Sequence, residues 1–141
     1  PIVLDPRGDR DAARRKRAAF KAADVALAAS GTVSLELAAN ATPMVIAYDM
    51  NWISWQIMSR MAKIDTVTLV NLITQTKAVP EFLGPACTPQ PVGDALLDLL
   101  SDAAARSAQI VAMEKTMVAL GKGGEAPGLR AARAVLSALA G

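Results

Sequence analysis

A short turn between an apolar run and a helical stretch is the part of this sequence best suited to hold a phosphate. Ser30, Gly31 and Thr32 follow the apolar run 24–29 and precede residues that favour a helix. Glycine lets a phosphate approach the backbone closely, and the first amides of a helix are unpaired donors that hydroxyl groups can supplement. Ser and Thr are also ordinary helix N-caps, so the turn alone predicts either a phosphate site or a simple cap.

Two more residues could complete a nucleotide site around this turn. Glu36 lies one helical turn after Thr32, where its carboxylate could accept hydrogen bonds from ribose hydroxyls. Asn71 ends a predicted strand, and its amide could donate to a diphosphate or sugar oxygen. An ordinary surface carboxylate and an ordinary strand-ending amide are the alternatives. Glu81, after Pro80, is interpreted instead as a carboxylate in the first turn of a short helix.

The elements that must position these residues alternate along the first two thirds of the chain. Short strands are predicted at 2–4, 24–29, 44–48 and 66–70, and helices at 10–22, 32–41 and 52–63. This order predicts a parallel sheet with right-handed crossovers, in which ligands bind at the carboxyl ends of the strands. Three further helices are predicted at 91–101, 102–120 and 127–140. We therefore expect an α/β fold: a partial Rossmann-like parallel sheet in residues 1–90, followed by C-terminal helices in residues 91–141.

Composition excludes several kinds of chemistry. The chain has 141 residues, enough for one domain, with no histidine and one cysteine, Cys87. A Ser-His-Asp triad, a Cys-His dyad and a Cys/His zinc site therefore cannot be built from this chain alone. No apolar run approaches the roughly 18 residues of a membrane span. The sequence begins without Met, and we interpret it as a fragment of a longer polypeptide.

Positive charge is concentrated near the start of the chain although the net charge is only +2. The block 14–17 reads Arg-Arg-Lys-Arg, without aromatic residues that could stack on bases, so we expect no nucleic-acid partner. A solvated helix face, or a contact with other parts of the protein, is the favoured interpretation. Attraction to anionic lipid headgroups is the alternative.

Most of the aromatic residues lie close together after the predicted strand 44–48. Tyr48, Met50, Trp52 and Trp55 fall within eight residues. Core packing would explain tryptophans at helical spacing. The alternative is an exposed apolar ledge that contacts acyl chains or the membrane interface, where Trp and Tyr side chains are favoured.

Four blocks, in order, resemble the C-terminal half of the lipid-A-disaccharide synthase family, glycosyltransferase family 19. They are Ala23–Glu36, Ala41–Tyr48, Thr68–Leu72 and Val79–Leu83. The last two look like the family's L-x-N-L and P-E-hydrophobic-Leu motifs. Two positions depart from the pattern, since members often carry a basic residue at the position of Asp49 and Gln at that of Gly84.

The resemblance implies an inverting glycosyltransferase of GT-B type that uses no metal and no other cofactor. Such enzymes join UDP-2,3-diacylglucosamine to 2,3-diacylglucosamine 1-phosphate and release UDP. The implied UDP contacts, all in the predicted 1–90 region, are Ser30, Gly31 and Thr32 at the diphosphate, Glu36 at the ribose and Asn71 at the diphosphate or sugar. Possible lipid contacts are Tyr48, Met50, Trp52 and Trp55. The N-terminal acceptor domain with its proposed general base is absent, so we expect no catalytic residue in this chain and no turnover by it alone.

The resemblance also implies a cytoplasmic location, peripheral to the inner membrane of a Gram-negative bacterium, with a homodimer as one possible state. Two alternatives stay open. Another GT-B type UDP-sugar enzyme, an epimerase or a peptidoglycan-precursor glycosyltransferase, would share the Ser-Gly and Glu elements. A non-catalytic module that pairs through its Ala-rich C-terminal helices would use the Ser30 turn only as a cap.

Overall fold

A computed structural model describes residues 2–5, 7–8, 10–29, 31–51, 55–56, 66–125 and 127–139. The strands are β1 (Ala26–Ala28), β2 (Met44–Tyr48) and β3 (Glu81–Leu83). The helices are α1 (Ala12–Ala22), α2 (Thr32–Ala39), α3 (Leu69–Thr74), α4 (Pro89–Ser101), α5 (Ala103–Ala119) and α6 (Pro127–Leu139), with a 3-10 turn at Gly84–Ala86.

The three strands form one parallel sheet in the order β1-β2-β3. Ala28 of β1 pairs with Ile46 of β2, which in turn pairs with Glu81 of β3. Because the strands are parallel, their carboxyl ends meet at one edge of the sheet, where the segments after Ala28, Tyr48 and Leu83 begin.

Strand β2 is the centre of the core because both of its faces are covered. Met44 and Ile46 point to one side and Val45 to the other, and all three are fully buried. A strand that is covered on both faces reads as a continuous apolar run, as this one does. The first side packs against Leu37, Ala38, Val70, Val79, Ala112 and Met113, and the second against Val92 and Leu99.

The structure confirms the predicted α/β class and much of the element order. The strand predicted at 44–48 is observed with the same bounds, the strand predicted at 24–29 corresponds to β1, and the helix predicted at 91–101 corresponds to α4. The C-terminal helices α5 and α6 agree with their predicted ranges to within a residue or two. Among the described residues, no helix combines the length and apolar character that a bilayer span requires.

The prediction of a strand at 66–70 is wrong. Thr66, Val67 and Thr68 are not paired with any strand, and helix α3 starts at Leu69. The strand that pairs with β2 is instead Glu81–Leu83, where a short helix was expected. β-branched residues favour extended backbone but do not choose its partner, and here the donors of this segment bond to a side chain rather than to a neighbouring strand.

The strand predicted at 2–4 is also absent. Residues 2–5 form no regular element, and Ile2 and Val3 are 92% and 81% exposed. An apolar run becomes a stable strand only when a neighbour pairs with it and covers one of its faces. The helix predicted at 52–63 lies outside the described residues, except for Trp55 and Gln56, which are helical.

A buried amide fastens helix α5 to the sheet. Gln109 is fully buried, its Oε1 accepts from the Met44 amide at 2.5 Å, and its Nε2 donates to the carbonyls of Met44 and Ala78 at 3.1 and 2.9 Å. One side chain therefore satisfies backbone groups at the start of β2 and before β3. The stability of the segments around Met44 and Ala78 depends on this side chain, since buried backbone groups without hydrogen-bond partners cost free energy.

We predict that Gln109→Leu lowers the free energy of unfolding by about 1–3 kcal/mol, because it leaves buried backbone groups unpaired. Urea unfolding followed by far-ultraviolet circular dichroism measures the change. Val111→Ala, at a half-exposed position of the same helix, is the matched control and is expected to cost much less. Equal stability losses in the two variants would contradict the role assigned to Gln109.

Candidate functional site

The turn after β1 has a backbone geometry that requires glycine. Gly31 has φ 116° and ψ −153°, a combination that residues with a side chain essentially do not adopt. A Cβ built on Gly31 would meet no described atom within 4 Å, so there is free space on the side where a side chain would lie. Ser30, predicted to act beside it, lies outside the described residues.

Helix α2 begins immediately after this turn, and its N-cap residue makes no side-chain bond to the first amides. Its N-cap is Gly31, which has no side chain to accept from them, and Thr32 is the first helical residue. The buried Ser34 hydroxyl donates to the Gly31 carbonyl at 2.7 Å and holds the turn from inside. Unpaired first-turn amides and the positive end of the helix dipole favour an anion at this place.

Glu36 lies on α2 one turn further along, with its side chain 44% exposed. Both of its carboxylate oxygens are 2.9 Å from the Lys16 ammonium of α1. The Thr42 hydroxyl donates to the carbonyl of Phe20 at 2.7 Å, and this bond holds helix α1 beside α2. A carboxylate has about four lone-pair sites, so Glu36 can still accept bonds from a ligand while Lys16 orients it.

Asn71 has a different setting from the one predicted. It lies within helix α3, not at the end of a strand, and its side chain is buried. Its Nδ2 donates to the Val79 carbonyl at 2.8 Å and to Glu81 Oε1 at 3.1 Å, while its Oδ1 accepts from the Val79 amide at 2.9 Å. The amide thus joins α3 to the segment that enters β3.

The Glu81 carboxylate collects hydrogen bonds from the whole segment that precedes α3. Its oxygens accept from the hydroxyls of Thr66 and Thr68 at 2.6 and 2.5 Å, from the amides of Val67 and Thr68 at 3.1 and 2.9 Å, and from Asn71. The N-cap of α3, Thr68, makes no side-chain cap of its own. Glu81 therefore satisfies the amide of the N-cap residue itself, as the glutamate of a capping box does, and holds the segment that leads into α3.

A cavity of about 950 Å³ opens beside β3 and α3. Its polar residues Asn71, Glu81 and Thr66 are bonded to one another, while Gln75, Thr76 and Lys77 are exposed. Most of the remaining lining is apolar and includes Trp55, Leu72, Val79, Phe82, Leu83 and Pro85. The cavity therefore offers hydrocarbon walls and an exposed polar side.

The structure distributes the predicted site residues over two places. Gly31, Thr32 and Glu36 lie together at the beginning of α2, whereas Asn71 belongs to the cluster around Glu81 and lines the cavity. The predicted lipid-contact residues divide as well. Tyr48, at the end of β2, is 44% exposed, Met50 is half-buried, Trp55 lines the cavity, and Trp52 lies outside the described residues.

Sequence reasoning missed Glu81 as the organising residue. It assigned this carboxylate to the first turn of a helix, but Glu81 is the first residue of β3. Its partners Thr66 and Thr68 are 15 and 13 positions away in the chain, so no local pattern reports the contact. The only available signal was a run of hydroxyl-bearing residues before an apolar helix that lacks an acidic N-cap.

Parallel strands joined by helices, with a glycine turn at the carboxyl end of β1, define the class of α/β domains that bind ligands at that edge of the sheet. Comparison with known families assigns the chain more narrowly. A family model described as lipid-A-disaccharide synthetase matches residues 11–130, and the chain belongs to this family. The family resemblance inferred from the four sequence blocks is thereby confirmed.

Curated relatives agree with this assignment. A lipid-A-disaccharide synthase from Ruegeria pomeroyi is 60% identical over the whole chain, and one from Bradyrhizobium diazoefficiens is 40% identical over 88% of it. A third, from Paramagnetospirillum magneticum, is 44% identical over 84%. The chain spans about a third of the length of these relatives, covering 35%, 32% and 31% of them.

We predict that Glu81→Ala lowers the free energy of unfolding by about 1–3 kcal/mol, because the buried Thr68 and Asn71 donors lose their acceptor. Glu81→Gln, which keeps one carbonyl oxygen and the shape of the side chain, is expected to lose less. Chemical denaturation measures both variants, with Glu114→Ala at an exposed position of α5 as the control. A Glu81→Ala variant as stable as Glu114→Ala would show that this carboxylate does not organise the segment.

Proposed function

We propose that this chain is the UDP-binding part of an enzyme that makes the lipid A disaccharide. The full-length enzyme transfers the sugar of UDP-2,3-diacylglucosamine to 2,3-diacylglucosamine 1-phosphate and releases UDP. The observation that carries the proposal is the turn at Gly31, which has φ 116° and ψ −153°, followed by the start of α2, where this N-cap residue has no side chain to occupy the first amides. Membership of the family and the names of the curated relatives support it.

In this proposal the start of α2 holds the diphosphate. The transfer breaks the bond between the anomeric carbon and a UDP oxygen, so negative charge develops on the leaving UDP. The amides that follow Gly31 and the helix dipole stabilise that charge, because they are fixed before the reaction begins, and the hydroxyls of Ser30 and Thr32 are proposed as further donors. The proposal assigns this role to the helix and to no metal ion or other cofactor.

Glu36 is proposed to accept hydrogen bonds from the ribose hydroxyls. Its position one turn into α2 sets it beside a diphosphate held at the helix start. Lys16, 2.9 Å from both carboxylate oxygens, orients the side chain and compensates its charge close to the diphosphate. The Lys16–Glu36 pair therefore links the basic helix α1 to the nucleotide end of the sheet.

The side-chain amide of Asn71 is proposed to donate a hydrogen bond to a diphosphate or sugar oxygen. A direct contact requires that its amide exchange a present bond, to Val79 or Glu81, for one to the ligand. None of the chain's residues is proposed to act as the general base. In the inverting transfer the acceptor hydroxyl attacks the anomeric carbon and gives up its proton to a base that a part of the full-length protein outside this chain supplies.

The proposal also covers location and partners. The enzyme works on the cytoplasmic face of the inner membrane of a Gram-negative bacterium, as a peripheral protein and as a homodimer. Tyr48 is the last residue of β2 and Met50 follows it, so Tyr48, 44% exposed, and Met50 would meet the acyl chains of the substrates together with Trp52 and Trp55. Aromatic side chains are well suited to such a boundary between apolar and polar surroundings.

We predict that Glu36→Ala weakens UDP binding to the full-length polypeptide by about 1–3 kcal/mol, because the ribose hydroxyls lose their charged acceptor. Isothermal titration with UDP measures the change.

Lys16→Ala is the matched control for this measurement. It removes the ion pair but leaves the carboxylate in place, so UDP affinity is expected to fall much less than in Glu36→Ala. Unchanged UDP affinity in Glu36→Ala would refute the ribose role, and equal losses in both variants would assign the effect to the ion pair.

A further inference from the structure

Gly84 and Trp55 fit together in a way that excludes any side chain at position 84. Gly84 is buried and has a φ of +53°, in the left-handed region. A Cβ built on it would lie 2.5 Å from Cε3 and 2.6 Å from Cδ2 of Trp55. The indole ring therefore lies directly against the backbone of Gly84, and a residue with a Cβ would displace it.

This contact fixes one wall of the cavity beside β3. Trp55 lines the cavity of about 950 Å³, and Gly84 joins the lining residues Leu83 and Pro85. The position of the indole thus depends on the absence of a side chain at Gly84. Any group that moved the ring would change the shape and the length of the cavity.

The chemistry of the lining favours a hydrocarbon ligand. The Glu81 carboxylate already accepts from Thr66, Val67, Thr68 and Asn71, and both hydrogens of the Asn71 amide are donated within the protein. The polar groups in the lining that remain are those of the exposed residues Gln75, Thr76 and Lys77. Apolar walls with a polar, cationic opening suit an aliphatic chain that carries a polar or anionic head.

We propose that this cavity holds a fatty acyl chain of a substrate. The indole of Trp55, packed against Gly84, is the wall that limits the length of the acyl chain. Trp55 and Gly84 act here as specificity-determining residues and take no part in bond breaking. The inference rests on the proposed function, because it assumes an acylated substrate. It goes beyond that function by assigning a particular cavity and a particular pair of residues to acyl selection.

The test compares Gly84→Ala with Gly123→Ala in the full-length polypeptide that contains this chain. Both variants place a Cβ on a glycine of positive φ, but at Gly123, with φ +84°, the new Cβ meets nothing within 4 Å. Both variants therefore carry the strain of a positive φ, and only Gly84→Ala places its Cβ against the indole. Disaccharide formation from donors with dodecanoyl and tetradecanoyl chains gives the ratio of the two kcat/KM values.

We expect Gly84→Ala to change this ratio roughly 10-fold or more, since one methylene group in an apolar pocket discriminates at that level. Gly123→Ala is expected to leave the ratio as it is. Trp55→Leu, which enlarges the cavity without backbone strain, is expected to shift the preference towards the longer chain even if Gly84→Ala fails to fold. An equal loss for both donors in Gly84→Ala, with an unchanged ratio in Trp55→Leu, would overturn the proposal.

Equilibrium binding of dodecanoate to the same variants separates this proposal from the proposed function. If the unmodified polypeptide forms no disaccharide but binds dodecanoate, and binds it more weakly after Gly84→Ala than after Gly123→Ala, the proposed function fails and the acyl cavity stands. If dodecanoate binds all three proteins equally, the acyl cavity fails. Binding to this chain alone but not to the full-length polypeptide would show that another part of the protein fills the cavity, which also overturns the inference.

Discussion

The carboxylate of Glu81 is the interaction on which the arrangement of this region depends. Donors from the segment before α3 and from α3 itself converge on its two oxygens, and Glu81 is also the first residue of the edge strand β3. The same side chain therefore joins the extended segment 66–68 and the side chain of Asn71 in α3 to the first residue of β3. Burying such donors is tolerable only because a charged acceptor satisfies them, since hydrogen bonds to an ionised group are the strong ones.

The two candidate functional regions, the start of α2 and the cavity beside β3, differ in polarity. At one, the glycine turn after β1 leads into α2, where amides, a hydroxyl and the Lys16–Glu36 pair gather polar and charged groups. At the other, the polar groups around Glu81 satisfy one another, and the cavity wall that remains is mainly hydrocarbon. The proposed substrate, with a nucleoside diphosphate and acyl chains, would need both kinds of surface. Strand β2, the middle strand of the sheet, is closely packed on both faces.

The strands and helices that have a clear local pattern of apolar residues could be predicted from the sequence. The run 44–48 is apolar throughout and becomes the central strand, and the helices α4 and α5 carry apolar residues at helical spacing over more than three turns. The turn at Gly31 was predictable because a glycine between an apolar run and a helical stretch indicates a turn. Sequence could not reveal that Thr66–Thr68 bond to Glu81 rather than to a strand, that Gln109 crosses to Met44, or that Gly84 makes room for Trp55. Each of these contacts joins residues far apart in the chain, so the pattern around either partner carries no trace of it.

Hydrogen–deuterium exchange of the full-length polypeptide with and without saturating UDP tests the central claim most directly, namely that the nucleotide is bound at the start of α2. The account predicts slower exchange in peptides that cover Gly31 to Glu36, because the diphosphate occupies the first amides of the helix and the ribose its next turn. Unchanged exchange of these peptides at saturating UDP would contradict it.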